Sequence, residues 1–305
     1  MKKYSKYLKP KSLTIFLFHG VISKNPFKIR NYTKKHITIN EFENVLEDLK
    51  KKGGICLSLD EVHKKINKGD SFANYSYSIT FDDGFYNNYK YAVPILLKRN
   101  LFATFYITTD FIEFNEMSWI DKIEQMVEHV CSKKNVQIFN KKFSIKNNEK
   151  SKIFFLKKIR SLAKRGFFGD LNKLVCIIKN QLNYKKPLKN LNNILDKKMN
   201  WDQIKKINSY KNFTIGGHTV SHKILSFLDS KNSKMEILNS IKIIYKNTKI
   251  KIYHYSYPEG MFHTYGRREV KFLKSAGIKI CPSAEFGINT KNTNLFDLKR
   301  VFVDK

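Results

Sequence analysis

The chain has 305 residues, of which 42% are hydrophobic and 14% aromatic. This length and composition provide enough apolar side chain for a sizeable core, which excludes an intrinsically disordered protein. The net charge of +32 favours an anionic partner, yet the lysines are scattered along the whole chain. Because no localised basic groove with interleaved aromatic residues is apparent, we expect no nucleic acid partner.

The cysteines and the N-terminal region bear on the cellular compartment. Cys56, Cys131, Cys176 and Cys281 lie far apart and form no CxxC pair, which argues against a zinc ribbon or a disulfide framework. We interpret them as reduced core thiols. The apolar run Leu13–Phe18 is too short for a signal peptide, and no stretch reaches the length of a membrane span. The sequence therefore predicts a cytoplasmic protein without a transmembrane segment.

The first hundred residues alternate between strand and helix patterns. In chain order these are a buried strand at Leu13–Val21, helices that begin at Thr38 or Asn40 and at Ser58 or Asp60, a strand at Tyr77–Phe81, a helix at Asn88–Asn100 and a strand at Phe102–Thr108. The alternation of short strands and helices indicates a parallel sheet or a β/α barrel.

The pattern changes between about Trp119 and Trp201, where apolar residues recur at helical spacing among many lysines. We interpret this stretch as a lysine-rich helical insertion in a single domain of residues 1–305. Alternation then resumes, with strands expected at 213–218, 252–258, 278–283 and 298–303 and helices expected at 234–245 and 266–277.

Polar side chains follow four of the predicted strands where each strand ends. They are His19, Asp82 with Asp83, His218 with His222, and the YPEG segment at 257–260. In a parallel sheet or a β/α barrel, the carboxyl ends of the strands gather the functional groups at one edge. We therefore expect these residues to lie close together.

The HTVSH segment is a candidate metal-binding motif. Its two histidines, His218 and His222, have the i, i+4 spacing that places both imidazoles on one helical face. A carboxylate from elsewhere in the chain would complete a His₂Asp set with open positions, which is typical of a catalytic zinc site. The adjacent Asp82 and Asp83 would then find their positive partner in the metal.

Three motifs in this order resemble the polysaccharide deacetylases of carbohydrate esterase family 4. They are TFDDG at 80–84, HTVSH at 218–222 and YSYPEG at 255–260. The resemblance implies an irregular (β/α) barrel and a metal-dependent hydrolase that removes an N-acetyl group from an amino sugar. It implies one divalent metal ion, zinc first, with cobalt, nickel, manganese or iron as alternatives. With no secretion signal visible, the expected substrate is a glycan or a nucleotide- or lipid-linked glycan precursor, whose phosphate would suit the basic surface.

The resemblance assigns roles to the first two motifs. Asp83 would join His218 and His222 as a metal ligand, and Asp82 would be the general base that deprotonates the metal-bound water. This division is chemically reasonable, because a divalent metal lowers the pKa of its water to about 7 and a nearby carboxylate can accept the proton.

The third motif would stabilise the oxyanion through a backbone N–H in the turn formed by Tyr257, Pro258 and Glu259. The family usually has an aromatic residue at the position of Glu259. A backbone donor does not depend on the side chain, but a glutamate that points into the site would disfavour an anionic transition state.

Two departures from the family pattern lead to further hypotheses. Ser256 stands where many members carry an arginine that pairs with the catalytic base, and Arg300 is the predicted substitute. Many members also have a C-terminal Leu-x-His whose histidine protonates the leaving amine, and this chain shows none before Lys305. The first and last strands of a barrel are neighbours. Since some members are permuted in this way, we expect His19, after the first strand, to be the general acid.

Two alternative functions stay open. The same site could remove a formyl group or hydrolyse another amide. A catalytically silent glycan-binding protein on this scaffold is the second alternative, favoured by Ser256 and Glu259 and opposed by the presence of Asp82 beside a full set of metal ligands.

The basic helix predicted at Ile153–Arg165 raises the question of peripheral membrane contact. Its apolar stripe could lie on the anionic inner face of a membrane. Such a helix more often buries that stripe in its own protein, so this contact is a secondary hypothesis.

Overall fold

The computed structural model describes residues 3–189 and 193–303. The strands are β1 (Leu13–Phe18), β2 (Gly20–Ile22), β3 (His36–Thr38), β4 (Ile55–Cys56), β5 (Ser76–Phe81), β6 (Ala103–Ile107), β7 (Lys134–Ile138), β8 (Lys141–Ile145), β9 (Phe213–Gly217), β10 (Pro282–Phe286) and β11 (Leu298–Phe302). The α-helices are α1 (Ile39–Lys51), α2 (Leu59–Lys68), α3 (Val93–Lys98), α4 (Thr109–Glu113), α5 (Trp119–Glu128), α6 (Glu149–Lys164), α7 (Leu171–Gln181), α8 (Trp201–Asn208), α9 (Ser230–Thr248) and α10 (Arg267–Ser275). Short 3₁₀ turns at Ser5–Tyr7 and Leu225–Phe227 and a π-helical turn at Asn88–Ala92 complete these elements.

A parallel sheet forms the centre of the fold. Its strand order is β10-β11-β1-β5-β6-β9, with β4 beside the first half of β5. Phe18 pairs with Phe81, and Ile107 pairs with Gly217, so that neighbouring strands end at one edge. β1 and β11 are direct neighbours, as expected for the first and last strands of a barrel.

The two edges of the sheet are joined by residues 253–256, here called the closing segment. Gly217 of β9 makes a parallel bridge to Tyr255, and His254 makes another to Ile280, just before β10. The strand predicted at 252–258 is therefore reduced to isolated bridges. The resulting ring is irregular, and the prediction of an α/β fold with a barrel-like parallel sheet is confirmed.

Sequence-encoded caps explain where several helices begin. Thr38 and Ser58 each form a capping box, in which the side chain accepts the N–H of a glutamate three residues later and that glutamate bonds back. Gly69 ends α2 in the left-handed region with φ of 72°. Of the alternative caps considered from sequence, Thr38 and Ser58 are those used.

The stretch from α5 to α7 has an apolar cluster of its own. Its core includes Ile123, Val127, Phe155, Leu156 and Ile159. The expectation of a wholly helical insertion was wrong in one part, because β7 and β8 form an antiparallel hairpin. In that hairpin alternate residues point into the cluster, which is the period of a strand and not of a helix.

Helix α6 buries its apolar stripe in this cluster. Because the stripe is buried inside the protein, it is not available to lie on a membrane. This argues against the secondary hypothesis that this stripe makes the membrane contact. None of the helices within residues 3–189 and 193–303 has the length and apolar character of a membrane span.

The cysteines differ from the expectation of core thiols. Cys281 is buried and Cys56 is partly buried, but Cys131 and Cys176 are exposed. Both exposed thiols belong to the insertion, where helical spacing alone could not tell the inner face from the outer one.

Candidate metal centre and active site

Asp83, His218 and His222 converge at the carboxyl edge of the sheet. Oδ1 of Asp83 lies 3.6 Å from Nε2 of His218 and 3.3 Å from Nε2 of His222. All three candidate ligand atoms lie within 4.8 Å of one another. Ligand atoms about 2.0–2.1 Å from a tetrahedral zinc ion lie roughly 3.3 Å apart, so the spacing fits such an ion.

The surroundings of these ligands also fit a metal. Nδ1 of His218 donates a hydrogen bond to the Ser256 carbonyl (2.8 Å), which leaves Nε2 of the neutral ring free to bind a cation. The buried Oδ1 of Asp83 has no well-formed hydrogen bond within the described residues. An orphaned carboxylate oxygen beside two imidazole nitrogens is the donor set that a borderline metal such as zinc prefers.

The HTVSH segment is not helical, which corrects the expectation that both histidines share a helical face. It is an irregular turn with positive φ at Thr219 (66°) and His222 (59°). Oγ1 of Thr219 accepts the N–H of His222, and Glu236 on α9 accepts the N–H groups of Val220 and Ser221. These bonds hold the two imidazoles together in place of helical geometry. Asp83 also has positive φ (71°), and such strain is typical of functional sites.

The electrostatics of the triad favour ionised Asp83. Burial alone would raise the pKa of Asp83, but His222 outweighs it and holds that pKa well below its usual range. Burial lowers the pKa of His218 below its usual value. For His222, burial acts in the same direction, but the Asp83 carboxylate outweighs it and raises the pKa. The site thus contains an ionised Asp83 carboxylate that interacts favourably with the imidazole of His222.

Asp82 faces Arg300 across the interior of the ring. The guanidinium forms two bonds of 2.9 Å to the two carboxylate oxygens and a third, of 3.0 Å, to Oγ of Ser256. Burial would raise the pKa of Asp82, but Arg300 outweighs it and lowers that pKa. Arg300 is 1% exposed and also donates to Ser283 O of β10, so its whole side chain lies inside the ring.

His19 follows β1 at the same edge. Its ring packs edge-on against Phe302 with centroids 5.3 Å apart, and its buried Nδ1 has no hydrogen-bond partner in the described part of the chain. Burial lowers the pKa of His19 to about 4, although the nearby Asp83 and Asp82 charges oppose this shift. His19 thus lies near Asp82 and Asp83, and its role as general acid stays a prediction.

The YPEG turn is held rigidly beside the triad. Tyr257 is fully buried, stacks on Tyr265 with centroids 3.8 Å apart, and donates its hydroxyl to the Phe296 carbonyl. The buried Pro258 precedes Glu259, whose φ is 60°. The Tyr257 side chain therefore supports the turn, and any contribution to the oxyanion comes from the backbone.

The negative charge of Glu259 is compensated by basic side chains of the insertion. Its carboxylate pairs with Nζ of Lys164 at 2.5 Å. Burial would raise the pKa of Glu259, but Lys164 and Arg160 of α6 outweigh it and lower the pKa to about 2. The glutamate is ionised, yet its charge is compensated, which removes much of the repulsion expected from the sequence.

Sequence reasoning missed a group of buried charges beside the triad. Lys35 pairs with Asp121 at 2.6 Å, and Nζ of Lys198 lies 3.3 Å from the centroid of the Phe85 ring without a hydrogen-bond partner among described residues. Burial lowers the pKa of Lys198 to about 8, opposed first by Asp83. No spacing pattern pointed to these lysines, because lysine occurs throughout the chain.

Comparison with known proteins assigns the family. A family model described as polysaccharide deacetylase matches residues 71–148 and 172–280, which is more than half of the chain. The chain belongs to the polysaccharide deacetylase family. The whole of α6, His19 and Arg300 lie outside the matched stretches. The YxkH protein of Bacillus subtilis (strain 168), named for the same family, is 27% identical over 124 residues, which is 41% of this chain and 42% of that relative.

Solved structures of deacetylases share the fold of this polysaccharide deacetylase. The Streptococcus pyogenes deacetylase PplD in complex with acetate matches with a TM-score of 0.61 and 16% identity, over 97% of this chain and 93% of that one. IcaB from Ammonifex degensii matches with a TM-score of 0.61 and 14% identity, over 97% and 94%. At such identities the likeness establishes the fold, while family membership supports carbohydrate deacetylation.

Proposed function

We propose that this polysaccharide deacetylase is a metal-dependent N-deacetylase of an amino sugar. The observation that carries the proposal is the pairing of Asp82 with Arg300 next to the Asp83, His218 and His222 cluster. Asp82 is bound by a guanidinium and is not one of the proposed metal ligands, so its carboxylate can serve as a general base. A binding protein has no use for that arrangement.

Asp83, His218 and His222 would hold the divalent ion, and zinc fits the mixed nitrogen and oxygen donors. Such an ion supplies Lewis acidity, which brings the pKa of a water ligand to about 7 and polarises the acetamide carbonyl. Asp82 is the proposed general base. Because Arg300 keeps it ionised and fixes both oxygens, Asp82 is ready to accept the proton of the attacking water.

His19 is the proposed general acid for the leaving amine. Its support is its position, since His19 follows β1 at the edge that carries Asp82 and Asp83 and its buried Nδ1 has no hydrogen-bond partner among the described residues. The turn at Tyr257, Pro258 and Glu259 would direct a backbone N–H toward the developing oxyanion.

The proposed substrate is an N-acetylated sugar within a glycan or a nucleotide- or lipid-linked precursor. PplD was solved with acetate, the product expected of N-deacetylation, which supports the acetyl group over a formyl group. A phosphate-bearing precursor also suits the net charge of +32. A role in surface glycan biosynthesis and a cytoplasmic location remain predictions.

Acetate release from a panel of N-acetylhexosamines tests the proposal. The panel contains nucleotide-linked, lipid-linked and oligomeric substrates, each with and without chelator. We expect release that needs metal and falls by at least about 10²-fold in Asp82→Asn and in His19→Ala. His63→Ala, a histidine that contacts Asn67 on α2 away from the triad, is the matched control and should retain full turnover.

A binding measurement separates the alternatives. Zinc should raise the unfolding temperature of the wild type but not of His222→Ala, whatever the activity. Zinc stabilisation without acetate release from any substrate would favour another acyl group or a silent scaffold. Full turnover in His19→Ala would remove that residue from the mechanism.

A further inference from the structure

Four phenylalanines project from four different loops beside the proposed active site. Phe139 is in the turn between β7 and β8, Phe167 follows α6, Phe227 follows the HTVSH segment and Phe262 follows the YPEG turn. Their side chains are 47%, 41%, 46% and 76% exposed, respectively. Exposed apolar side chains that are grouped together mark an interaction surface, whereas scattered ones do not. We call this group the aromatic rim.

Contacts between the loops show that the rim is one surface. Phe139 and Phe167 both pack on the buried Phe168, with centroids 6.1 and 5.2 Å away. The Phe227 ring covers Gly166 and would lie 3.2 Å from a Cβ at that position. The four loops thus meet around the C-terminal end of α6.

The same contacts place the rim at the active-site mouth. His263, next to Phe262, hydrogen-bonds the Lys164 carbonyl (2.9 Å), and the Lys164 ammonium pairs with Glu259 of the YPEG turn. Ser226, next to Phe227, donates to the His263 carbonyl. The loops that carry Phe227 and Phe262 are therefore direct continuations of the two motifs that build the site.

Basic side chains lie at this surface. Nζ of Lys141 lies 5.0 Å from the centroid of Phe167, and Arg165, next to Gly166, is exposed. One carboxylate, that of Glu285, accepts the N–H of Phe262. Phenyl rings bring no polar atom that could bind sugar hydroxyls, but they do partition into the interfacial region of a bilayer. Basic side chains around them add attraction to anionic headgroups.

We propose that the aromatic rim docks the protein on an anionic membrane surface, with the active-site mouth toward the lipid. The chemistry of the occupant follows from the charge, since apolar rings within a basic border are complementary to anionic lipid. The proposal rests on the proposed function only in taking this mouth as the substrate entrance. A lipid-linked sugar would then reach the metal centre without leaving the bilayer.

Co-sedimentation with vesicles tests the rim. The probes are vesicles of phosphatidylcholine alone and of phosphatidylcholine with phosphatidylglycerol, and the protein is the full chain. We expect binding to the anionic vesicles that is weakened about tenfold in the double variant Phe227→Ser/Phe262→Ser, since two phenyl rings lose their apolar contact. Turnover of a water-soluble substrate should be unchanged in this variant.

Tyr245→Ser/Ile55→Ser is the matched control. Tyr245 is 53% and Ile55 45% exposed, and Ile55 pairs with Ser76 at the start of β5, at the end of the sheet away from the proposed active site. This control should bind vesicles like the wild type. The proposal is overturned if the wild type binds no vesicles, or if the rim variant binds as well as the control, which would indicate attraction by scattered lysines alone. It is also overturned if the rim substitutions weaken only the turnover of soluble glycan oligomers.

The vesicle result is independent of catalysis. Asp82→Asn should bind vesicles like the wild type, because the variant leaves the rim intact. Vesicle binding without acetate release would leave the docking surface standing and refute the proposed function.

Discussion

Arg300 and Ser256 share a single task beside Asp82. The Ser256 side chain is small enough to leave room for a guanidinium that arrives from β11, and its hydroxyl accepts one of the guanidinium N–H groups (3.0 Å). The guanidinium beside Asp82 thus comes from β11 and not from the third motif. The buried ion pair leaves both charges compensated inside the ring.

Replacing Arg300 measures how much the ion pair with Asp82 contributes to stability. In Arg300→Met the buried Asp82 carboxylate loses its counter-charge, and we expect unfolding free energy to fall by about 3–5 kcal/mol. Urea unfolding of both single variants and of Asp82→Asn/Arg300→Met measures the coupling, and the double variant should lose less than the sum. Arg99→Met is the control, since its pair with Glu43 is partly exposed and contributes no more than about 1 kcal/mol. Additive losses would contradict a direct buried pair.

At the scale of elements, α6 contributes to the active site through Lys164. The family model does not cover this helix, yet the helix supplies the counter-ion of Glu259 in the turn proposed to bind the oxyanion. In Lys164→Met the glutamate keeps much of its negative charge near the developing oxyanion, so kcat should fall by about tenfold with little change in fold.

A second substitution tests whether Lys164 acts through the charge of Glu259. Lys164→Met/Glu259→Gln should recover most of the lost kcat, because a neutral amide needs no counter-ion. Acetate release by the two variants and by Glu259→Gln alone measures the effect. If the double variant is as slow as Lys164→Met, the lysine acts on something other than Glu259.

Lys35 and Asp121 join the segment before β3 to α5 of the insertion. Burial would raise the pKa of Asp121, but Lys35 outweighs it and holds the pKa well below its usual range. The folded-state pKa is below the unfolded one, so the pair stabilises the protein above about pH 4 and this stabilisation is lost as pH falls further. In Lys35→Met the carboxylate is poorly compensated, and protonation now relieves the penalty.

Lys35→Met should therefore be most destabilised at neutral pH. We expect a loss of about 3 kcal/mol at pH 7 and a smaller loss at pH 4.5, measured by urea unfolding. Lys205→Met removes an exposed pair with Asp202 and should change stability by less than about 0.5 kcal/mol at either pH. A loss in Lys35→Met that is equal at both pH values would show that Asp121 stays compensated by its other neighbours.

The sequence predicted elements where local rules decide the structure. The caps at Thr38 and Ser58 and the buried strands β1 and β5 followed from patterns within a few residues. The arrangement of His218 and His222 did not, because their turn depends on Glu236 from a helix that lies later in the chain. Residues 252–258 read as a strand, yet only isolated bridges form there, since this segment closes a ring between two strands that do not meet directly.

The site was predictable only in part, for the same reason. Polar residues at strand ends pointed to the metal cluster, since parallel strands bring their carboxyl ends together. Lys198 and Lys164 could not be found, because their importance depends on burial and on partners from distant segments. A lysine among dozens of lysines carries no signal of its own.

At the scale of the whole molecule, the net charge of +32 should limit stability. Buried pairs such as Arg30 with Asp196 are little affected by salt, whereas surface lysines repel one another through solvent. Raising NaCl from 20 to 300 mM shortens the Debye length from roughly 20 Å to roughly 6 Å, so we expect the unfolding temperature to rise by several degrees.

A triple variant, Lys51→Glu/Lys157→Glu/Lys231→Glu, replaces exposed lysines and lowers the net charge by six. Its unfolding temperature should be higher at low salt and less dependent on salt than that of the wild type. An unfolding temperature that falls with added NaCl would mean that screened attractions outweigh the repulsion between lysines.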